Sequence, residues 1–417
     1  MHTGAGLVAT LRDTAETGTE PRPRRRVLEV DALRGFALLG ILLVNSLTMA
    51  GPYGLVGGRP PGAADTVALW LVQFLAQSKF YLLFSFLFGY SFTLQAVSAE
   101  RAGARLGPRT MRRLLGLFVL GALHAVFLYV GDILTTYALL GLILFAARRA
   151  TPEGAYRAAL WVWGVFGSVL LLLGALATLA DPGADAAPGA AAAEAAGLTA
   201  AYRGGFADVV GANLEQLWFA AVALLTIGGL VVAVFLLGLA AGKRQWLTRV
   251  STAGLRRVLV AGLCVGVPTA AFSAAGTAGP LPARWELLAG MAGTVFAPAL
   301  TAAYVAALLL WFGTPGGARA AGVLAPAGRM ALTHYLTQSL VMALVFTGYG
   351  LGLYGRLGIA VPVCLALALY AAQLALSGPL LRRYRLGPVE WLLRAFTHFR
   401  ERPDGRPGGR SHEVNER

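Results

Sequence analysis

Residues 26–45 read RVLEVDALRGFALLGILLVN. After the charged opening, an apolar run begins at Leu33 and continues to about Ala50. A helix of about 20 residues, rising 1.5 Å per residue, spans the roughly 30 Å hydrocarbon core of a bilayer. The run therefore predicts a transmembrane helix, and the charged residues before it predict that its first turn lies at the membrane surface.

Similar apolar runs recur along the whole chain. Because backbone polar groups must be satisfied within the segment inside lipid, and because these runs are continuous and not alternating, they predict helices. We therefore predict an all-α, polytopic membrane helical bundle of about ten transmembrane helices. The predicted spans are 33–50, 80–97, 114–130, 133–147, 160–180, 217–241, 258–275, 287–312, 330–350 and 357–380.

The charge pattern predicts how the bundle is oriented. The chain has 417 residues, of which only 13% are charged, whereas about 25% is usual in soluble proteins. Its net charge of +15 suggests a nucleic-acid partner at first sight. However, 30 of the 35 Lys and Arg residues fall in the termini and in alternate connections, which is the distribution of cytoplasmic segments. We expect both termini to be cytoplasmic, the bilayer to be the partner, and no nucleic acid to bind.

The polar segments divide the chain into three parts. Residues 1–26 predict a disordered basic cytoplasmic tail, 27–399 the transmembrane domain, and 400–417 a disordered C-terminal tail. Within the transmembrane domain, residues 64–77 predict an interfacial helix and 181–216 an outer loop that is partly flexible. Richness in Ala, Gly, Pro and Arg suggests a bacterial source, so we expect a multi-pass protein of a bacterial plasma membrane.

His124 is the first candidate for chemistry, in GALHAVFLYVGDILTTYALLG, residues 121–141. Polar groups at membrane depth are costly and are therefore functional candidates. His124 lies eleven residues beyond Arg113, near mid-membrane, and Asp132 lies at the following turn. A carboxylate can orient an imidazole, but direct contact requires that the helix break near Gly131. The structural alternative is a histidine satisfied by a neighbouring helix and an aspartate that caps a turn.

Other polar groups lie near the predicted inner membrane boundary or within spans. Those of the first span can also be a helix-terminal anchor, and those of the ninth can be interhelical hydrogen bonds. The two cysteines provide neither a disulfide framework nor zinc-ligand spacing, so no metal site is predicted. The further candidates are Asp31, Arg34, Asn45, Arg109, Arg113, Tyr137, Arg329, His334 and Gln338.

Five segments of the chain resemble the YeiB-like family, domain of unknown function 418. They occur in the family's order, and the resemblance covers about residues 27–399. The segments are VDALRGFALLGILLVN, FSFLFGY, the histidine followed by GDILTTYALLG, GRMALTHYLTQS and GPVEWLLR. This family in turn looks like part of a wider transmembrane acyltransferase superfamily, whose members move acyl groups from a cytoplasmic donor such as acyl-coenzyme A to sugars or lipids.

The resemblance also implies roles for individual residues. In one branch of the superfamily, the Arg of a DxLRG motif is followed by a catalytic His; here the matching positions are Arg34 and Asn45. Asn is not a general base, so we expect His124 to be the base or a transient acyl carrier, positioned by Asp132, with Asn45 facing a developing oxyanion. The donor-binding candidates are Asp31, Arg34, Arg109, Arg113 and Arg329, and the candidates for lining the acceptor cavity are Tyr137, His334 and Gln338.

The sequence leaves two other functions open. A transporter or flippase of an amphiphilic metabolite, or a non-catalytic membrane scaffold, fits the same buried polar groups. No cofactor is expected to be bound permanently, acyl-coenzyme A is the expected substrate, and the sequence does not indicate the oligomeric state.

Overall fold

The computed structural model describes residues 23–52, 62–101, 103, 105–180 and 188–398. All regular structure in these ranges is helical. The α-helices are α1 (Pro23–Ala50), α2 (Ala63–Leu75), α3 (Lys79–Arg101), α4 (Leu106–Phe127), α5 (Leu134–Ala146), α6 (Pro152–Leu179), α7 (Pro188–Arg203), α8 (Phe206–Arg244), α9 (Trp246–Arg249), α10 (Thr252–Ala278), α11 (Glu286–Val295), α12 (Ala297–Phe312), α13 (Pro315–Arg329), α14 (Ala331–Phe346), α15 (Ala360–Arg383) and α16 (Pro388–Thr397).

The all-α membrane bundle is confirmed. Within the described residues, seven helical stretches are long and apolar enough to cross a membrane, and α11 and α12, which meet at 43°, together form an eighth. Each of the ten predicted spans coincides with a helix or with this bent pair. The count is lower because two of them, α5 and α14, have only 13 and 16 residues, about 20 and 24 Å of helix.

Helices also occur in segments predicted to be connections. The predicted interfacial helix at 64–77 is α2, whose Leu69 and Val72 are buried. The predicted outer loop at 181–216 contains α7 and the first turns of α8, while residues 181–187 lie outside the described residues. Helix α13 occupies the connection between the predicted spans 287–312 and 330–350. Most of the two predicted disordered tails also lies outside the described residues, although α1 already begins at Pro23.

Helix α1 packs against α13, and the contact positions the basic groups at one end of the bundle. A Cβ on Gly35 of α1 would overlap the carbonyl oxygen of Leu324, and a Cβ on Gly328 of α13 would overlap that of Asp31. Small residues at such crossings let two backbones approach closely in a membrane. The Tyr370 hydroxyl of α15 donates to the Gly35 carbonyl at 2.7 Å, which fixes a third helix on the same crossing.

Helix α3 is held to the long helix α8 by the same means. A Cβ on Gly89 would overlap the carbonyl of Phe235, and a Cβ on Gly238 would overlap that of Phe86. The rings of Phe88 and Phe235 stack beside this contact, with centroids 4.9 Å apart. The α3–α8 pair therefore forms a second rigid unit, next to α1.

Helix α16 crosses the end of the bundle at which the arginines lie. Its Glu390 accepts hydrogen bonds from the backbone N–H groups of Leu332 and Thr333 at 2.7 and 3.0 Å, and from the Thr333 hydroxyl at 2.5 Å. These are first-turn groups of α14, which lack partners within the helix, so the carboxylate caps α14. The side chains of Leu393 and Phe396 pack over Gly116 of α4.

The α1–α13 crossing gives a first prediction. We expect Gly328→Ala to destabilise the protein by about 1–3 kcal/mol, because the new methyl group must displace a backbone carbonyl of α1. Thermal unfolding in detergent, followed by size-exclusion chromatography, measures the effect. The matched control is Gly322→Ala in the same helix, where a Cβ has nothing within 4 Å. Equal melting temperatures for the two variants would contradict the prediction.

Candidate functional site

His124 of the predicted third span and Asp132 of the following turn, which were predicted to cooperate, lie in contact. Helix α4 ends at Phe127, three residues after His124, and residues 128–133 turn back toward it. The Nδ1 atom of His124 lies 3.0 Å from Oδ1 of Asp132, and the two side chains are 0% and 2% exposed. The break in the helix that the sequence required is therefore present, four residues earlier than Gly131.

Asp132 is held in place independently of the imidazole. Its Oδ2 accepts a hydrogen bond of 2.6 Å from the backbone N–H of Thr135, in the first turn of α5. Gly121 makes room for this turn, because a Cβ there would lie 2.5 Å from both Oδ2 of Asp132 and the Thr135 nitrogen. The carboxylate thus has one oxygen committed to the helix and the other directed to His124.

The dyad retains hydrogen-bonding capacity that the protein does not use. Neither ring nitrogen of His124 makes a hydrogen bond of normal geometry to a described residue, and the same holds for Oδ1 of Asp132 and the hydroxyl of Thr135. Buried polar groups are nearly always satisfied in folded proteins. Because Nδ1 and Oδ1 lie 3.0 Å from each other, Nε2 of His124 and the Thr135 hydroxyl are the groups that a bound molecule could engage.

Two tyrosines enclose the imidazole. The ring of Tyr335, from α14, lies with its centroid 4.9 Å from that of His124, and its hydroxyl accepts from the Ile133 N–H at 3.3 Å. Tyr129 approaches edge-on at 6.3 Å, and its hydroxyl lies 2.5 Å from that of Thr48 in α1. The dyad is therefore bounded by phenol rings on two sides.

A cavity of about 410 Å³ extends from the arginine end of the bundle toward the dyad. On α4 it is lined by Arg109, Arg113 and Leu117, which are four residues apart and share one helix face, so it follows the helix for about 12 Å. Its apolar walls include Leu38, Ile41, Phe84, Phe88 and Leu134. Tyr335 and Ile133, which adjoin the dyad, line the same cavity, whereas His124 itself does not.

Five arginines line this cavity against one acidic residue, Glu390, whose oxygens are already engaged by α14. The mouth is therefore strongly positive and suits an anionic group. The five are Arg34, Arg109, Arg113, Arg329 and Arg394.

Hydrogen bonds position the guanidinium groups that lie deepest. Arg34 donates to Asp31 and to Ser91, both at 2.5 Å, so Asp31 orients the arginine and does not itself line the cavity. Arg113 donates to Gln95 at 3.0 Å, and its guanidinium lies 5.1 Å from the centroid of the Phe88 ring. Such preorganised donors bind an anion at a low cost in side-chain entropy.

Two further candidates, Tyr137 and Asn45, differ in their position relative to the cavity. Tyr137 lines the cavity, and its hydroxyl contacts the Ser85 hydroxyl at 2.7 Å and the Tyr81 carbonyl at 2.9 Å. Asn45 is half-buried, does not line the cavity and forms no hydrogen bond with His124; Thr48, one turn later, contacts the Tyr129 hydroxyl beside the dyad. The expected oxyanion contact of Asn45 therefore stays a prediction.

His334 and Gln338, which were predicted to line an acceptor cavity, do not line the central cavity. His334 Nε2 lies 2.7 Å from the Ser377 hydroxyl, and Gln338 donates to Gln373 at 2.7 Å. Both partners belong to α15, so the polar residues of α14 on this side join two helices. His334 also lines a separate apolar groove between α14, α15 and α16.

Sequence reasoning missed Tyr335 and the cavity-facing position of Arg394. Neighbours on a helix point about 100° apart, so Tyr335 faces the cavity while His334 faces α15. Ala331 and Leu332 line the cavity too, and they lie four and three residues before Tyr335. Residues at this spacing share a helix face, and this was the pattern from which the position of Tyr335 could have been predicted. No group of three or more metal-ligating side chains occurs within the part of the chain that the structure describes.

The dyad gives a second prediction, on stability. We expect His124→Ala and Asp132→Ala to be non-additive by about 0.5–3 kcal/mol, because either change alone removes their mutual contact. Unfolding of both single variants and the double variant in detergent completes the cycle. The exposed pair Arg244 and Glu153 is the matched control, for which water screens the contact and we expect nearly additive effects. Additive effects at the buried pair would show that the 3.0 Å contact contributes nothing.

Comparison with known proteins places this geometry in a family. The sequence model of the family described as "Protein of unknown function (DUF418)" matches residues 241–400. The uncharacterized protein YxaH of Bacillus subtilis is 31% identical over 400 residues, covering 91% of this chain and 96% of that protein. The uncharacterized protein YeiB of Escherichia coli is 30% identical over 413 residues, covering 89% and 96%. The chain therefore belongs to the YeiB-like family, which carries the domain of unknown function DUF418.

Proposed function

We propose that this protein is a membrane acyltransferase that moves an acyl group from an anionic donor, such as acyl-coenzyme A, to a lipid or sugar acceptor. We place it in a bacterial plasma membrane, with the arginine-lined mouth facing the cytoplasm. The observation that carries the proposal is the alignment of one cavity with two kinds of group: arginines at its mouth and a buried His–Asp pair beside its inner end.

The cavity's polarity matches an amphiphilic donor. Guanidinium groups bind phosphate through charge-assisted hydrogen bonds. The apolar walls beyond Arg34 and Arg113 suit the apolar part of the donor. Its phosphates would lie at the arginines and its acyl end would lie toward Tyr137 and Tyr335. The arginines and the apolar walls therefore follow each other along the cavity in the same order as the phosphates and the acyl end of the donor.

The dyad supplies the proton transfers. With Nδ1 of His124 facing Asp132, its Nε2 atom accepts the proton of an acceptor hydroxyl. The acceptor oxygen bonds to the thioester carbonyl carbon, the carbon–sulfur bond breaks, and the imidazolium returns the proton to the departing thiolate. Asp132 stabilises the imidazolium between the two transfers.

Tyr335 takes the role that the sequence assigned to Asn45. Its hydroxyl accepts from the Ile133 N–H, so its own hydrogen remains to be donated, and the residue lies between the cavity and His124. In the proposed reaction this hydroxyl donates to the developing oxyanion. Because His124 does not line the cavity, Tyr335 must also move aside for the acyl carbon to reach it.

A third prediction concerns donor binding. We expect Arg113→Gln to weaken binding of palmitoyl-coenzyme A about tenfold, through loss of a charged hydrogen-bond donor. Arg394→Gln should weaken it by a smaller factor, about threefold, because that arginine is exposed to solvent. Titration calorimetry on detergent-purified protein measures both. Arg319, exposed and outside the cavity, supplies the control Arg319→Gln, which should bind as tightly as the native protein. Unchanged binding by Arg113→Gln would contradict the cavity assignment.

A fourth prediction separates chemistry from binding. We expect His124→Ala to lower the rate of acyl transfer at least about 100-fold while donor affinity stays within twofold of native. Tyr335→Phe should lower the rate by about 10-fold or more, through loss of one oxyanion donor. The assay follows release of free coenzyme A and formation of an acylated lipid in proteoliposomes. Native rates in His124→Ala would remove the histidine from the mechanism.

One observation favours a transporter as the second candidate. Polar contacts continue beyond the dyad, through the hydroxyls of Tyr129 and Thr48, away from the cavity. The same proteoliposomes distinguish the two functions. Movement of a labelled amphiphile across the bilayer, without release of coenzyme A or a covalent product, would favour transport over acyl transfer.

A further inference from the structure

A second basic cleft lies at the same end of the bundle as the central cavity. It has a volume of about 570 Å³ and is bounded by α3, by the turn Ala147–Arg149 after α5, and by the end of α8. Leu106 lines both this side cleft and the central cavity. The two share a wall, because Ser91 and Gln95 of α3 face the central cavity while Leu94 and Val97 face the side cleft.

The side cleft carries an unbalanced positive charge. Arg148, Arg149 and Lys243 line it, and no acidic residue is among its described lining residues. A nearby surface depression provides the contrast, since there Arg244 is paired with Glu153. Charge complementarity therefore selects an anion for the side cleft and not for its neighbour.

Two of the three cations are fixed before any ligand binds. The Nζ atom of Lys243 donates to the carbonyls of Arg148 and Ala150 at 2.8 and 2.6 Å, so one of its three hydrogens remains available. The Arg148 guanidinium lies over the Phe145 ring, 4.1 Å from the centroid. Arg149, in contrast, is exposed and makes no interaction with a described residue, which leaves its whole guanidinium available.

The other wall of the side cleft is apolar and reaches the lipid-facing surface. Leu94 and Val97 are each 44% exposed and lie three residues apart on α3, on one helix face. Leu239 of α8 lines the floor. A molecule that fills the cleft therefore meets cations at one end and hydrocarbon at the other, which is the division found in a phospholipid.

We infer that the side cleft binds the phosphate headgroup of an anionic phospholipid, with the acyl chains along Leu94 and Val97. The headgroup lies against Arg149 and the free hydrogen of Lys243. This site is independent of the proposed acyl transfer, because none of its basic residues lines the central cavity or contacts the dyad. It gives the protein a preference for anionic membranes.

The test uses full-length protein in a neutral detergent, titrated with dioctanoyl phosphatidylglycerol and followed by thermal unfolding. We expect stabilisation by this lipid, much weaker stabilisation by dioctanoyl phosphatidylcholine, and none by inorganic phosphate at equal concentration. Arg149→Gln should weaken the response to phosphatidylglycerol about fivefold, the effect of one basic residue near an anionic lipid. Because Arg149 is exposed and forms no hydrogen bond or ion pair with a described residue, this variant should keep the native melting temperature without lipid.

Two controls make the outcome specific. Arg319→Gln removes an exposed arginine elsewhere and should respond as the native protein does. Arg113→Gln impairs the proposed donor site and should keep its full response to phosphatidylglycerol, so the two sites can fail separately. An equal response of Arg149→Gln and native protein, or equal stabilisation by phosphatidylcholine, would overturn the inference. Full stabilisation by inorganic phosphate would also overturn it, in favour of a site for free anions.

Discussion

The close crossing of α1 and α13 is the contact on which the rest of the site depends. Without side chains at Gly35 and Gly328, the two backbones meet directly, and the residues beside them, Arg34 and Arg329, are brought to the mouth of one cavity. In lipid, apolar side chains gain little from leaving one hydrocarbon environment for another, so helix association depends on such close packing and on hydrogen bonds. The hydrogen bond from the Tyr370 hydroxyl to the Gly35 carbonyl joins α15 to α1 at the same point.

The arrangement of charge follows from the same solvent. Arginines lie at the end of the bundle, where water and headgroups lower the cost of a cation, while the deeper cavity wall is formed by leucine, phenylalanine and tyrosine side chains. Glu390 lies among the arginines but caps α14, and Asp31 is paired with Arg34, so among the described residues neither carboxylate forms an ion pair with another cavity arginine. The cavity is thus polarised along its length, as an amphiphile is.

The His124–Asp132 pair is an exception to this gradient, and it is buried almost completely. The free-energy cost of burying these two polar side chains is partly offset by the backbone N–H of Thr135, which donates to one carboxylate oxygen, and by the phenol rings that pack around the imidazole. Besides the contact between Nδ1 and Oδ1, the atoms that have no hydrogen-bond partner among the described residues are Nε2 of His124 and the Thr135 hydroxyl. The proposed proton transfers use the Nε2 atom of this pair.

The sequence by itself determined the helical membrane bundle, the placement of its apolar segments, and the costly positions of His124 and the arginines. These are local properties, because lipid acts on each segment through its own length, hydropathy and charge. Only the tertiary structure decided which polar groups meet. The turn after Phe127 brings Asp132 back to His124, and the rotation of α14 directs Tyr335 to the cavity and His334 to α15. Asn45, at the position that the resemblance made important, does not line the cavity. The sequence could not predict such placements, because helix rotation and chain reversal depend on contacts between segments distant in sequence.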